Sequence, residues 1–382
     1  MSTSSPFYSA EHAAFRDAMR RFVAREVTPH VEQWEADGAF PRELYAKAAE
    51  IGLLGLGFPA ELGGNDGDLF MTIVASQELA RCGAGGVLAS LMSHTIGCPP
   101  IVHAGSEALQ RKVLPAVLRG EKISALAITE PSGGSDVANL RTTARRDGED
   151  YIVNGSKTFI TSGMRADFYT VAVRTGGPGP AGVSLLLVEK GTPGFTQTPL
   201  AKMGWLCSDT ATLHFDAARV PAANLVGAEN QGFKAIMRNF NRERIFLAAG
   251  ANGFARVCLD EALAWSRQRE MFGGKLIDQQ VTRHKLADMA MRIEATQALL
   301  ELLAWRVEQG DSPVGEICLL KNQATQTMAF CASEAVQLHG GAGFIRGVKV
   351  ERIYREVKVN AIGGGAEEVM RDLAARQLGF QA

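Results

Sequence analysis

Apolar side chains recur every three or four residues through the first third of the chain. The stripe is clearest between Glu11 and Trp34, where it predicts one amphipathic helix. Its members are Phe15, Met19, Phe22, Val23, Val27, Val31 and Trp34. Shorter helical stretches, broken by Pro41, by Gly63 and Gly64 and by Pro99 and Pro100, continue to about Gly120. The pattern predicts an N-terminal α-helical domain over residues 1–121.

Between residues 122 and 232 the helical spacing gives way to short runs of β-branched and aromatic residues. Gly and Pro separate these runs, as expected for turns. The strand-like runs are 168–173, 183–188 and 211–215, with 151–155 as a hairpin edge. A small antiparallel β domain is predicted here.

Helical spacing returns after Gln231 and marks two long stripes, 286–307 and 317–331. The segment Gly310–Pro313 lies between them, which predicts two antiparallel helices joined by a short loop. Residues 233–382 therefore form a third, α-helical domain. The predicted fold class is α+β, in the order α, β, α.

Charge and cysteine usage restrict the function. Lys and Arg total 40 against 41 Asp and Glu, so the net charge of −1 argues against nucleic acid or anionic membranes as partners. The six cysteines form no C-x-x-C pair, the first six residues do not resemble a secretory leader, and no apolar run is long enough for a membrane span. We expect a cytoplasmic protein in a reducing compartment, with the mature form of a mitochondrial matrix protein as the other possibility.

Three common ligand-binding motifs are missing. No G-x-G-x-x-G is present for a nicotinamide cofactor, and Gly155-Ser-Lys-Thr158 lacks the order of a phosphate-binding loop. The seven histidines have neither H-x-x-x-H nor H-E-x-x-H spacing, so no metal site is expected.

Four compact polar or glycine-rich strings lie at the predicted domain joints. They are 127–136, 157–163, 267–273 together with Gln280, and 335–344. Glycine backbone, hydroxyls and arginines suit an anionic ligand, and an aromatic side chain suits a flat ring. Each string taken alone is also compatible with a simple turn.

Taken in order, these strings resemble the acyl-CoA dehydrogenase family from about Phe15 to Leu378. The matching motifs are Thr129-Glu-Pro131, Gly134-Ser-Asp136, Met203-Gly-Trp205, Ser208-Asp-Thr210, Arg269 with Phe272-Gly273, and Gln337-Leu-His-Gly-Gly341. The resemblance implies a helical domain, a β domain and a four-helix-bundle-like domain, with FAD as cofactor. It also implies a homotetramer of two dimers, oxidation of an acyl-CoA thioester to the trans-2-enoyl-CoA, and an electron-transfer flavoprotein as electron acceptor.

The resemblance also assigns residues to the cofactor and the substrate. The residues implied to contact FAD in one subunit are Leu126, Ile128, Thr129, Gly134, Ser135, Phe159, Ile160 and Thr161. Those implied to reach the FAD of the neighbouring subunit are Arg269, Met271, Phe272, Gln280, Gln337 and Gly341, and Ala366 and Glu368 complete the cofactor set. The substrate set is Ser135, Asn241, Arg244, Gly364 and Gly365.

One position departs from the commonest family pattern. Gly364 stands where most relatives carry the catalytic glutamate. In the long-chain and isovaleryl-type members the base lies on an earlier helix, in a Glu-Arg pair matched here by Glu243 and Arg244. We therefore expect Glu243 to be the base, with Glu367 and Glu368 as its nearest rivals.

Three other functions remain open at this stage. A flavin-dependent oxidase or monooxygenase of the same fold, a non-catalytic FAD- or acyl-CoA-binding homologue, and a structural helical protein without flavin are all compatible with parts of the pattern. The position of the base does not separate long-chain from short branched-chain substrates.

Overall fold

The computed structural model describes residues 5–380 and follows the predicted order of helices, sheet and helices. The N-terminal helices are α1 (Ala10–Phe22), α2 (Val31–Asp37), α3 (Glu43–Glu50), α4 (Leu69–Ala80), α5 (Gly85–Leu91), α6 (His94–Gly97), α7 (Pro99–Ala104) and α8 (Glu107–Leu118). Residues 1–4, which carry part of the leader argument and the start of the first predicted domain, lie outside the described residues, as do residues 381–382 at the end of the third.

The single helix predicted over 11–34 is wrong. After α1 the chain forms a π-helical turn at Val23–Val27 and a 3-10 turn at Thr28–His30. Helix α2 follows directly after the 3-10 turn. Pro29 cannot donate a backbone N–H to a helical ladder. Val23, Val27 and Val31 are nevertheless all buried, because the wider turn corrects the drift that spacings of four residues cause in a 3.6-residue helix.

The middle of the chain forms a seven-stranded sheet. Its strands are β1 (Ser124–Ala127), β2 (Thr143–Asp147), β3 (Asp150–Thr161), β4 (Phe168–Arg174), β5 (Val183–Glu189), β6 (Phe195–Pro199) and β7 (Thr210–Pro221). The order is β1-β4-β2-β3-β7-β6, with β5 paired to β4. Alternating burial along β3 and β7 places one face of the sheet on the core.

Two details of the predicted β domain need correction. The sheet is mixed, because β1 and one residue of β2 pair with β4 in parallel. In the sequence β2 and β3 lie between β1 and β4, so no tight hairpin forces these two strands to be antiparallel. The segment 151–155 belongs to the β2–β3 hairpin, as predicted, but it is not at an edge, because the strand continues to Thr161 and also pairs with β7.

The C-terminal part packs long helices around a central one. Its elements are α9 (Gly232–Gln268), the short strands β8 (Glu270–Met271) and β9 (Gly274–Lys275), α10 (Gln280–Glu308), α11 (Val314–His339), α12 (Lys349–Ile362) and α13 (Glu367–Gln377). Helix α11 packs against α9, α10, α12 and α13, and it therefore carries buried residues on most of its circumference. The predicted antiparallel pair is α10 and α11, and the α+β fold class is confirmed.

Helix α9 also joins the C-terminal part to the N-terminal part. A Cβ on Gly250 would lie 3.0 Å from Ser76 Oγ of α4, and one on Gly253 would lie 2.9 Å from Ala80 Cβ. The Ser76 hydroxyl donates a hydrogen bond to the carbonyl of Phe246 at 2.9 Å. The small residues after Glu243 thus permit close packing of two helices.

Candidate active site

The carboxylate of Glu243 and the turn at Gly364 come together between α9 and the α12–α13 connection. A Cβ built on Gly364 would stand 3.8 Å from Glu243 Oε1 and 2.4 Å from Leu247 Cδ1. Gly364 has φ of +67°, a conformation that strongly favours glycine. Position 364 therefore cannot carry the usual glutamate without moving Leu247, while Glu243 already lies beside it.

The environment of Glu243 suits a base that works near neutral pH. Burial raises the pKa of Glu243 to about 7, and the positive charges of Arg244 and Lys321 act in the opposite direction. Without burial the carboxylate would titrate in the ordinary range near 4. A raised pKa is typical of catalytic carboxylates.

Of the other predicted substrate residues, Asn241 and Arg244 lie on the same turn of α9. Arg244 is buried, its guanidinium lies 5.4 Å from the Phe240 ring centroid, and its Nη1 donates to Asn241 Oδ1 at 3.4 Å. The Nε of Arg244 is buried without a hydrogen-bond partner in the described structure. A buried, incompletely paired guanidinium beside Glu243 is suited to an acceptor group on a ligand.

Gly365, Ala366 and Glu368 follow Gly364 around the start of α13. Gly365 has φ of +107°, and a Cβ there would lie 2.4 Å from Met370 Cε. The Ala366 carbonyl accepts from the Met370 N–H at 2.9 Å, which begins the helix, and Glu368 is exposed in its first turn. Glu367, the other rival base, accepts hydrogen bonds from Gln326 and Arg371.

A second group forms at the end of β1 and the end of β3. The Thr158 N–H donates to the Thr129 carbonyl at 2.8 Å, and the buried Lys157 ammonium binds the Ile128 carbonyl at 3.0 Å and the Glu130 carboxylate at 2.7 Å. These bonds bring the segments 126–135 and 157–161 together. Leu126, Gly134, Ser135 and Thr161 lie on the same two segments.

Phe159 and Ile160 differ sharply in exposure although they are neighbours. A β-bulge between Lys157 and Ile160 interrupts the pairing of β3 with β7, and Phe159 has φ of +59°. The Phe159 side chain is 68% exposed while Ile160 is 3% exposed. The Phe159 ring is therefore accessible to a ligand, whereas the Ile160 side chain is not, and Ile160 could contact a ligand only through its backbone.

A cavity of about 410 Å³ adjoins this second group. Its lining includes Ile128, Glu130, Gly133, Asp136 and Arg141. A Cβ on Gly133 would meet no atom within 4 Å, so this loop leaves its backbone accessible.

The third group lies around the β8–β9 hairpin, near the end of α9, the start of α10 and the end of α11. The guanidinium of Arg269 lies 6.0 Å from the Trp265 ring centroid, and the Trp265 ring stacks on His339 at 5.0 Å. Phe272 is 93% exposed with φ of +48°. Met271, Gln280 and Gln337 lie on β8, α10 and α11, and Gly341 lies in the 3-10 turn that follows α11.

The structure does not join all three groups through direct contacts. Within residues 5–380, no hydrogen bond or ion pair connects Arg269 or Gln337 with the Phe159 group, and none connects Ser135 with Glu243. This separation is compatible with the expectation that the third group serves a neighbouring subunit.

Sequence reasoning missed two side chains in the Glu243 region. Leu247 occupies the space that a side chain at 364 would need. Lys321 is wholly buried on α11 and donates to the carbonyls of Ala361 and Gly365 at 3.2 and 2.8 Å. The signal for Lys321 is in the sequence, since it is the only charged residue between Glu316 and Glu334.

Comparisons with known proteins find relatives that match almost the whole chain. Sequence profiles of the acyl-CoA dehydrogenase N-terminal, middle and C-terminal domains match residues 9–121, 125–218 and 230–379. The long-chain specific acyl-CoA dehydrogenase of mouse mitochondria is 37% identical, covering 97% of this chain and 87% of the mouse protein.

Two solved structures extend the likeness to three dimensions. A Mycobacterium smegmatis structure described as an acyl-CoA dehydrogenase superposes with a TM-score of 0.97 at 48% identity, covering 99% of this chain and all of the other. A glutaryl-CoA dehydrogenase from Mycobacterium smegmatis in complex with FADH2 has a TM-score of 0.93 at 28% identity, covering 100% of this chain and 97% of the other.

The chain belongs to the acyl-CoA dehydrogenase family. Its three-domain fold, its FAD cofactor and its α,β-dehydrogenation of an acyl-CoA thioester are thereby confirmed. None of the helices in residues 5–380 is long and apolar enough to cross a membrane, and no cluster of three potential metal ligands occurs in the same residues.

Proposed function

We propose that Glu243 removes the Cα proton of an acyl-CoA thioester bound between α9 and the Gly364 turn. The observation that carries this proposal is the 3.8 Å between Glu243 Oε1 and the point where a Cβ on Gly364 would stand. Position 364 lacks the side chain that is usual in the family, and the Glu243 carboxylate lies beside the space that this leaves.

Glu243 and the Gly364–Gly365 turn would act on different atoms of the thioester. The Glu243 carboxylate accepts the Cα proton, while backbone N–H groups of the Gly364–Gly365 turn polarise the thioester carbonyl. FAD, when bound, would supply the acceptor for the hydride that leaves Cβ, while the electron pair of the broken Cα–H bond forms the new double bond. Arg244 and Asn241 would orient the bound thioester beside the carboxylate.

The residues of the second and third groups fit FAD. An exposed Phe159 in a left-handed conformation suits a ring face, and the open backbone at Gly133 and Gly134 suits close approach of a ligand. Arg269 forms no ion pair among the described residues and stacks only on Trp265, which leaves its charge for a pyrophosphate. We propose that the Phe159 group holds the flavin of its own subunit and the Arg269 group reaches that of a neighbour.

The rate of dehydrogenation should depend on pH through Glu243. The base must be ionised, so kcat/KM is expected to rise with pH and level off above the pKa of about 7. Below that value it should fall about tenfold per pH unit. A kcat/KM profile measured from pH 5.5 to 8.5 tests this; a flat profile down to pH 5.5 would contradict it.

The substrate class is tested by anaerobic titration of the purified protein. Straight, long and branched acyl-CoAs are added separately while the absorbance of the oxidised flavin is followed. The acyl-CoA that bleaches the flavin at stoichiometric concentration identifies the substrate and confirms dehydrogenation. A yellow protein that no acyl-CoA bleaches would favour the non-catalytic alternative, and rapid oxygen consumption with peroxide release would favour the oxidase.

The electron acceptor, assembly and location are proposed from family membership and the described surface. We infer transfer to an electron-transfer flavoprotein and assembly as a homotetramer, in which the exposed Phe272 and Arg269 would meet a second subunit. All six cysteines are free and buried, which fits a reducing compartment. On that basis we propose the cytoplasm, although a mature mitochondrial matrix protein fits the same observation.

A further inference from the structure

Lys321 is a buried cation that the proposed chemistry does not yet use. It lies on α11 with no exposed surface. Its Nζ donates to the carbonyl of Ala361 at 3.2 Å, at the end of α12, and to the carbonyl of Gly365 at 2.8 Å. These two carbonyls flank the turn that contains Gly364.

The position of Lys321 is energetically expensive. Transfer of an ammonium group out of water costs several kcal/mol, and two carbonyl dipoles only partly replace its hydration. Within residues 5–380 no carboxylate lies within ion-pair distance of the Lys321 Nζ. Burial accordingly lowers the pKa of Lys321 to about 8. A neutral side chain with two donors would bind the same carbonyls at lower cost, so the charge itself calls for an explanation.

The charged groups around Lys321 come from three helices. The charges of Glu243 and Arg244 on α9 and of Glu367 at the start of α13 act on the Lys321 ammonium, and Cys318 lies one turn before it on α11. Cys318 is neutral at physiological pH because burial raises the pKa of its thiol. Glu367 is already paired with Arg371 at 2.9 Å. Among these groups, Glu243 is the carboxylate without an ion-pair partner in the described structure.

We propose that Lys321 is a positioning residue for the dehydrogenation, which fixes the Gly363–Gly365 turn opposite Glu243 and supplies a buried positive charge on the far side of that turn. The inference rests on the proposed role of Glu243. The two hydrogen bonds hold both ends of the turn, so the backbone N–H groups between them keep one orientation. The positive charge offsets part of the desolvation that burial imposes on Glu243.

Two substitutions separate these roles. Lys321→Gln keeps two N–H donors for the carbonyls but removes the charge, and Lys321→Met removes both. Asn322→Leu is the matched control, because the Asn322 amide donates to the Glu367 carbonyl at 2.9 Å and so holds the start of α13 without any charge.

The readout is the proton-transfer step alone. Holoenzyme is incubated in D2O with 3-thiaoctanoyl-CoA, in which sulfur replaces Cβ so that no hydride can leave. Deuterium incorporation at Cα is followed by mass spectrometry from pH 5.5 to 9. Glu243→Gln is included, and thermal unfolding and FAD content are measured for every variant.

We expect the midpoint of the exchange profile to move up by about one pH unit in both Lys321 variants, which lowers exchange about tenfold on the acidic side. Only Lys321→Met should also lower the plateau rate at high pH, because it alone releases the two carbonyls of the turn. Asn322→Leu should unfold at lower temperature but keep the wild-type midpoint. Unchanged midpoints in Lys321→Gln and Lys321→Met, or an equal shift in Asn322→Leu, would overturn the inference. Normal exchange in Glu243→Gln would instead overturn the base assignment, so the two failures are distinguishable.

Discussion

Glu243→Gln is expected to lower the rate of dehydrogenation about a thousandfold or more, while the protein stays folded and yellow. The amide has nearly the shape of the carboxyl group but cannot accept the Cα proton. Because Glu243 forms no hydrogen bond that holds the fold in the described structure, its replacement should leave FAD content and thermal stability close to wild type. The measurement is stopped-flow flavin reduction under anaerobic conditions with saturating acyl-CoA.

Glu367→Gln is the control for this result. Glu367 lies three residues beyond Gly364 and its side chain binds Gln326 and Arg371, so its carboxylate is already held at the start of α13. Its substitution should change flavin reduction by no more than about threefold, which corresponds to the loss of a surface contact. If Glu367→Gln were inactive and Glu243→Gln turned over normally, the base would be reassigned to α13.

Gly364→Ala is expected to lower turnover about a hundredfold although it adds only a methyl group. The new Cβ would require φ of +67° and would lie 2.4 Å from Leu247 Cδ1. Either the Leu247 side chain must rotate or the turn must shift away from α9, and a displacement near 1 Å in an active site can cost this much. Single-turnover flavin reduction, measured together with thermal unfolding, separates the catalytic effect from the effect on stability.

Two further variants isolate the cause of that loss. Gly310→Ala carries the same left-handed penalty, since φ is +86° and its Cβ would meet no atom within 4 Å, so it should lower stability by about 1 kcal/mol and leave turnover unchanged. Leu247→Ala combined with Gly364→Ala removes the steric conflict and should recover much of the lost activity. Wild-type turnover in Gly364→Ala alone would show that the turn does not position the reaction.

The helices of the fold were largely predictable because the stripes of apolar residues that mark them are long. The 3.6-residue spacing in 286–307 and 317–331 spans several turns, so the existence of α10 and α11 does not depend on any single residue. The failure at 23–30 has a local cause: a π-helical turn preserves the burial of Val27 and Val31, and the pattern alone does not distinguish it from a straight helix. The parallel pairing of β1 depends on a crossover, which strand-like runs do not encode.

The site was predictable only in part. The family pattern predicts that the base lies at Glu243 because position 364 is a glycine, and the structure brings the two positions together. Leu247 and Lys321 were missed because their roles depend on which helix faces which. In the sequence Leu247 is one apolar residue of a helix. Lys321 is marked as the only charged residue between Glu316 and Glu334, but the sequence does not indicate which turn it contacts. The exposure of Phe159 was not predictable either, because it depends on a bulge in the pairing with β7.

The assignment of Glu243 as the base is tested most directly by a crystal structure of the FAD-loaded protein with 3-thiaoctanoyl-CoA. We predict a Glu243 carboxylate oxygen about 3 to 3.5 Å from Cα of the thioester, with the carbonyl oxygen directed at the Gly364 turn. A thioester whose Cα lies beside Glu367 or Glu368, with Glu243 turned away and no rotamer able to reach it, would contradict the assignment.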